Sequence, residues 1–147
     1  MPLVTLPSGQ LDYALEGAGA PLVLLSANPG DRRDFDAVAP ELAQRYQLLR
    51  LDWPGYGLSP APQPPASASA MLFAQLLGEL MQQLQLPPAI ILGNSVGCYA
   101  AVSLALAQPA QVRALVLVSP GGFSPQNAVT RTFCRIKGNE AVTRATN

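Results

Sequence analysis

Ala89-Ile90-Ile91-Leu92-Gly93-Asn94-Ser95-Val96-Gly97 is the stretch on which the reading of this chain turns. An unbroken apolar run enters a Gly-x-Ser-x-Gly pentapeptide, and helical spacing then extends from Val96 to Ala107. Such a run reads as a buried strand, and a serine between strand and helix occupies a sharp turn that strains its backbone and exposes its hydroxyl. Gly93 and Gly97 leave room for the turn. The pentapeptide alone is a modest signal, because a chance match in a chain of this length is roughly a few-per-cent event. The strand before it and the helix after it make it specific. Ser95 could instead cap the helix, but a cap does not require glycine two residues to either side. Ser95 is therefore the candidate nucleophile, and the backbone N–H of Val96 is a candidate donor to a developing oxyanion.

Outward from the elbow, apolar runs recur at Leu22 to Leu25, Leu48 to Leu51 and Ala114 to Val118. Like Ala89 to Leu92, each is too short for a helix and too continuous for a half-exposed strand, so all four are expected to be buried on both faces. Between them, Phe35 to Arg45, Ala68 to Leu84 and Val96 to Ala107 have helical spacing and the length to cross over a parallel sheet. In Ala68 to Leu84 the apolar residues form one broad stripe, which marks a core-facing helix. Strand and helix alternate, which predicts an α/β fold with a mostly parallel sheet. Ahead of this, Leu3 to Leu6 and Gln10 to Leu15 flank the turn Pro7-Ser8-Gly9 and predict an antiparallel hairpin. Ser59 to Ala70, rich in Pro, Ala and Ser, reads as a surface loop. After Gly122 the composition shifts, and a short helix over 126–136 is expected.

Acyl transfer needs a second oxyanion donor, and the loop after the third strand is the place for it. Here that loop is Ser26-Ala27-Asn28-Pro29-Gly30-Asp31, with Asn28 as the candidate. Taken alone, the segment could be an ordinary turn entering a helix near Phe35 with Asp34 as its cap. The elbow downstream favours the oxyanion role.

Four motifs in order now carry a resemblance. They are Ser26-Ala27-Asn28-Pro29-Gly30, Asp52-Trp53-Pro54-Gly55-Tyr56-Gly57-Leu58-Ser59, the elbow, and Val112-Arg113-Ala114-Leu115-Val116-Leu117-Val118-Ser119. The chain resembles the α/β-hydrolase superfamily from its first strands through the sixth. The resemblance implies a sheet truncated before the last strands, with residues 1–122 as the amino-terminal part of the domain and 123–147 as the incomplete start of a cap. It also implies that Asp52, Gly55 and Gly57 serve a structural turn, that Ser95 attacks, and that Asn28 and Val96 hold the oxyanion. Phe123 and Tyr99 are the substrate-pocket candidates. Tyr99 shares a helix face with Ser95 and is expected mainly to pack in the core. Ser26 and Ala27 depart from the family's His and Gly in the oxyanion loop.

The chain contains no histidine, whereas the family's triad runs Ser, acid, His. Glu140, the only acidic residue after the elbow, falls where the cap begins, and nothing in the sequence supports the single lysine, Lys137, as a base. Losing Ser or His from such a triad costs on the order of a millionfold in turnover.

The expected function is thus that of a serine hydrolase acting on a small ester or related acyl substrate, with no cofactor and no metal, nearly inactive as this 147-residue chain. The alternatives are a non-catalytic ligand- or partner-binding module, or a gene fragment without independent function. An open edge on the sixth strand invites self-association. Nine basic residues balance nine acidic ones without a basic patch, so nucleic acid is not an expected partner. No apolar run nears the length of a membrane span, and a cytoplasmic location is expected. Cys98 and Cys134 read as small buried thiols rather than a disulfide pair or metal site.

Overall fold

The chain alternates strand and helix because its apolar residues alternate between a period of two and a period near 3.6. The computed structural model describes residues 2–62 and 69–121. Strands β1 (Leu3–Leu6) and β2 (Gly9–Glu16) form the hairpin, followed by β3 (Ala20–Leu25), α1 (Ala39–Leu42), β4 (Tyr46–Leu51), α2 (Ala70–Gln83), β5 (Ala89–Asn94), α3 (Val96–Ala107) and β6 (Val112–Val118). One six-stranded sheet runs in the order β1-β2-β4-β3-β5-β6. The hairpin joins β4 antiparallel, and β4, β3, β5 and β6 are parallel. The cap region expected from residue 123, the helix over 126–136 and the expected burial of Cys134 lie outside the described residues.

The strands' period of two sorts the core into two layers. Val23, Leu25, Leu49, Leu51, Ala89 and Ile91 pack with Phe73, Leu76, Leu77, Leu80, Ala101 and Leu104 of α2 and α3. Leu22, Leu24 and Leu48 point the other way and pack with Ala39, Phe35 and Leu42. Helix α2 starts where Ser69 Oγ accepts a hydrogen bond from Leu72 N at 3.1 Å, one of the four N–H groups a helix start leaves without a partner.

Two expectations need correction. The helix expected over Phe35 to Arg45 is only the single turn Ala39–Leu42, preceded by a 3-10 turn over Arg32–Phe35. Pro40 is the reason: it has no N–H and its ring clashes with a preceding helical turn, so it is tolerated only at a helix start. That 3-10 turn is capped by Asp31, whose side chain accepts from Arg33 N, where the ordinary-turn alternative has Asp34. The second correction is β6, expected to be buried on both faces. Val116, Leu117 and Val118 are 45%, 39% and 45% exposed, because β6 lies at the end of the strand order and pairs only with β5 among the described residues. An apolar run records that a strand belongs in a sheet, not its place in the order.

Sequence reading found no role for Arg32, which is 6% exposed and ion-paired with Asp12 and Asp52, themselves 5% and 1% exposed. Arg32 N donates to Asp52 Oδ1 at 2.9 Å, and Leu58 N donates to Asp52 Oδ2 at 2.9 Å. Ser59 Oγ donates to Asp52 O at 2.6 Å and accepts from Asp12 N at 2.8 Å. Trp53 is fully buried and stacks on Phe73 with ring centroids 4.6 Å apart. The Asp52 to Ser59 stretch is thus a structural turn whose carboxylate ties β4 to β2 and to the loop after β3.

Removing the Arg32 side chain would leave two carboxylates buried without their cation. Arg32→Ala is expected to lower stability by about 3–5 kcal/mol, read as a shift of the urea midpoint at constant slope. Gly97 offers a second check: a Cβ there would lie 2.6 Å from Leu25 O and 2.8 Å from Leu25 Cβ. Gly97→Ala would push α3 off β3 at an overpacking cost of about 1–3 kcal/mol, measurable in the same titration.

Candidate active site

The strand order reverses at β3, which has β4 on one side and β5 on the other. The connections leaving β3 and β5 go to opposite faces, and in such sheets a crevice opens beyond the carboxyl ends of the two strands. Leu25 pairs with Gly93 across that boundary. The Ser26 to Asp31 loop and the Gly93 to Gly97 elbow therefore leave from adjacent strand ends, which brings the segments carrying Asn28, Ser95 and Val96 to one edge of the sheet.

At the elbow the chain passes from β5 to α3 through Ser95 alone. Ser95 has φ 52° and ψ −111°, a sparsely populated conformation that costs roughly 1–3 kcal/mol and needs support from its surroundings. Ser95 N donates to Val118 O, and Ser95 O accepts from Cys98 N and Gly121 N, each at 3.1 Å. A Cβ on Gly93 would lie 2.6 Å from Cys98 N, so the two glycines of the motif sit where strand and helix backbones crowd. Ser95 makes no side-chain cap bond to α3, which removes the helix-cap alternative. Val96 is the first residue of α3, where N–H groups have no intrahelical partner. Cys98 is buried, as expected, and its thiol points at Gly93 O at 3.0 Å with Val118 O at 3.3 Å.

The loop that carries Asn28 is pinned at both ends. Trp53 Nε1 donates to Ser26 O at 3.1 Å, and Arg32 N bonds Asp52. Between these anchors Asn28 is exposed, and Tyr56 OH donates to Asn28 Oδ1 at 2.5 Å. Ser26, at the position where the resemblance implies a His, is buried, and its hydroxyl has no hydrogen-bond partner among the described residues.

The arginines near the loop are each paired with a carboxylate. The Arg33 guanidinium beside Asp31 holds its carboxyl down at about 2, while partial desolvation and the neighbouring Asp31 carboxylate push the largely exposed Asp34 up. The signs oppose each other. The Asp31 pairing contributes stability above its ordinary value of 3.8 that is lost as pH falls through about 2. Asp34 favours the folded state below its ordinary value, and that contribution is lost as pH rises through its raised one. Arg33 is mostly exposed, so its pairing is worth little beside the buried Arg32 cluster. A cavity of about 410 Å³ is lined by Arg32, Arg33, Arg50, Asp31, Asp36 and Asp52, and each of these charges already has an opposite partner.

Tyr99 stands one turn past the elbow, half-buried, and its hydroxyl contacts Met71 Sδ on α2 at 3.2 Å. Phe123 lies outside the described residues. Among the described residues no three His, Cys, Asp or Glu side chains converge as a metal site, and no helix is long and apolar enough to cross a membrane. Sequence reading missed Tyr56 and Arg32 at this site. Tyr56 stood inside a recognised motif as an unspecified position, and Arg32 is joined to its partners only through the fold.

Comparison with known proteins agrees with this geometry. The family model for the alpha/beta hydrolase fold matches residues 20–135. The chain is 34% identical over 131 residues to the 2-hydroxy-6-oxononadienedioate/2-hydroxy-6-oxononatrienedioate hydrolase of Cupriavidus pinatubonensis, covering 83% of this chain and 45% of that protein. It is 34% identical over 123 residues to the sn-1-specific diacylglycerol lipase ABHD11 of Mus musculus, covering 81% and 39%. An alpha/beta hydrolase fold protein from Burkholderia ambifaria superposes with a TM-score of 0.80 at 22% identity, covering 99% of this chain and 55% of that one. The chain spans about half the length, or less, of these relatives. A strand-order reversal with a strained serine at its edge and a match over residues 20–135 lead to one conclusion: the chain belongs to the alpha/beta hydrolase family.

Proposed function

We propose that this chain carries the nucleophile and the oxyanion donors of a serine hydrolase acting on a small ester or related acyl substrate. Ser95 attacks the carbonyl carbon, and the backbone N–H groups of Asn28 and Val96 stabilise the negative charge that forms on its oxygen. The observation that carries this reading is Ser95 itself, held at φ 52° beyond β5 with no cap bond to α3. A serine serving only the helix start would adopt an ordinary extended conformation and bond the first turn. The chain's relatives include a hydrolase of oxononadienedioates and a diacylglycerol lipase, which supports a substrate class no narrower than a small ester or related acyl compound. No cofactor is called for in this chemistry.

With no histidine in the 147 residues, the base and acid that activate Ser95 are proposed to come from outside them, and the chain alone to turn over on the order of a millionfold more slowly than a complete triad. The natural full-length protein is expected to be labelled at Ser95 by a fluorophosphonate, with Ser95→Ala unlabelled and the 147-residue chain labelled far more slowly. Mass spectrometry of the tryptic peptide spanning Ser95 reads the result. An unmodified Ser95 in the full-length protein would overturn the assignment.

The exposed Val116, Leu117 and Val118 of β6 support a second proposal, about assembly. Among the described residues β6 pairs on one side only, and an apolar strand with an unpaired edge is a template for another strand, so the 147-residue chain by itself is proposed to self-associate through β6. Sedimentation velocity is expected to show oligomers that grow with concentration and disappear in Val116→Lys/Val118→Lys. A monomer at every concentration would exclude this mode.

A further inference from the structure

We propose that Tyr56 is a positioning residue of the oxyanion hole, its hydroxyl fixing the Asn28 side chain and through it the Asn28 backbone N–H; this rests on the Ser95 and Asn28 roles proposed above. The loop from Ser26 to Asp31 spans from one anchor at Ser26 to another at Arg32. Asn28 stands between them, exposed, and its side-chain oxygen is taken by Tyr56 OH at 2.5 Å. Tyr56 is suited to hold it. Its ring packs against the larger core layer, its N–H donates to Trp53 O at 2.9 Å, and its C=O accepts from Ser59 N at 3.0 Å. The whole turn is locked by the Asp52 carboxylate.

One continuous stretch, Asp52 to Tyr56, therefore grips the loop at Ser26, at Asn28 and at Arg32. The grip at Asn28 is a single hydrogen bond between two side chains, so it can be removed without disturbing the other two. An oxyanion donor acts in the transition state, where it must lie within about 3 Å of the developing charge, and a displacement near 1 Å is enough to lose much of its effect. Loosening Asn28 should slow the bond-forming step and leave ground-state binding alone.

The test is a double-mutant cycle in the natural full-length protein with Tyr56→Phe, Asn28→Ala and the pair. Asn28→Ala keeps the backbone N–H and removes the side-chain amide that carries the acceptor of the Tyr56 hydrogen bond. The readout is fluorophosphonate inactivation, in which Ser95 Oγ bonds to phosphorus, fluoride departs, the serine proton passes to the base, and the phosphonyl oxygen occupies the oxyanion hole. Tyr56→Phe is expected to lower the maximal inactivation rate roughly tenfold, part of the loss seen when an oxyanion donor is deleted outright, with the half-saturating concentration and thermal midpoint unchanged. Asn28→Ala should do the same, and the double variant should be no slower than either single one. Wild-type rates in both single variants, or additive losses in the double, would overturn the role of Tyr56 while leaving Ser95 as nucleophile. An unlabelled parent protein would overturn both.

Discussion

A carboxylate shut away from water must have its charge compensated and its lone pairs filled, and the way Asp52 meets that requirement organises the carboxyl edge of the sheet. One oxygen accepts from Arg32 N, the other from Leu58 N, and the Arg32 guanidinium approaches at 3.8 Å while also pairing with Asp12. Two buried carboxylates share one guanidinium, so the surplus negative charge rests on backbone N–H groups aimed at Asp52. That choice draws four segments together: β2 through Asp12, β4 through Asp52, the loop before α1 through Arg32, and the turn through Leu58 and Ser59. A hydrophobic replacement of similar volume could match the cluster in stability, but it would not fix the direction in which the loop leaves β3.

The elbow solves a different problem, how to turn a strand into a helix in one residue. The strain at Ser95, roughly 1–3 kcal/mol, is comparable to the net worth of the three backbone hydrogen bonds that hold it, each about 0.5–1.5 kcal/mol. Two of those bonds come from Val118 and Gly121, at and beyond the end of β6. The serine's geometry thus depends on the strand with the most exposed apolar residues in the sheet, and disturbance of β6 is transmitted directly to Ser95. The Cys98 thiol, placed between Gly93 O and Val118 O, closes the same joint from beneath.

Local periodicity carried most of the fold. The helix expected over Val96 to Ala107 spans those residues, and the runs at Leu22, Leu48 and Ala89 lie within strands, because helix and strand patterns are complete within four to a dozen residues. Errors arose where a single residue overrode the apolar spacing or where the deciding contact lay elsewhere in the fold. The apolar spacing of Phe35 to Arg45 conceals the effect of Pro40, and the turn before it is capped by Asp31, which reaches Arg33 N, not by the Asp34 of the ordinary-turn alternative. The run of β6 did not reveal its place at the end of the strand order. Arg32 was legible only as half of a basic pair, since Asp12 and Asp52 lie twenty residues away on either side. At the candidate site the motif spacing singles out Ser95 and Asn28 as candidates, while the Tyr56 hydrogen bond depends on a side-chain direction that no spacing encodes.

Within the proposed chemistry, stabilising the oxyanion and moving the proton fall to separate structural parts. Stabilisation of the oxyanion needs fixed dipoles, and fixed dipoles need a rigid frame; the β3 and β5 ends, locked by Asp52 and by the elbow, provide one. Proton transfer needs a group that titrates near neutral pH, and these residues include no histidine. The buried thiol of Cys98 points away into the joint between β5 and β6 and offers Ser95 no acceptor. On the proposed reading, polarisation of a carbonyl by this portion does not wait for a base. In triad enzymes that portion retains roughly a thousandfold acceleration over water, so the precision of the Asn28 loop is worth maintaining independently of the group that accepts the Ser95 proton.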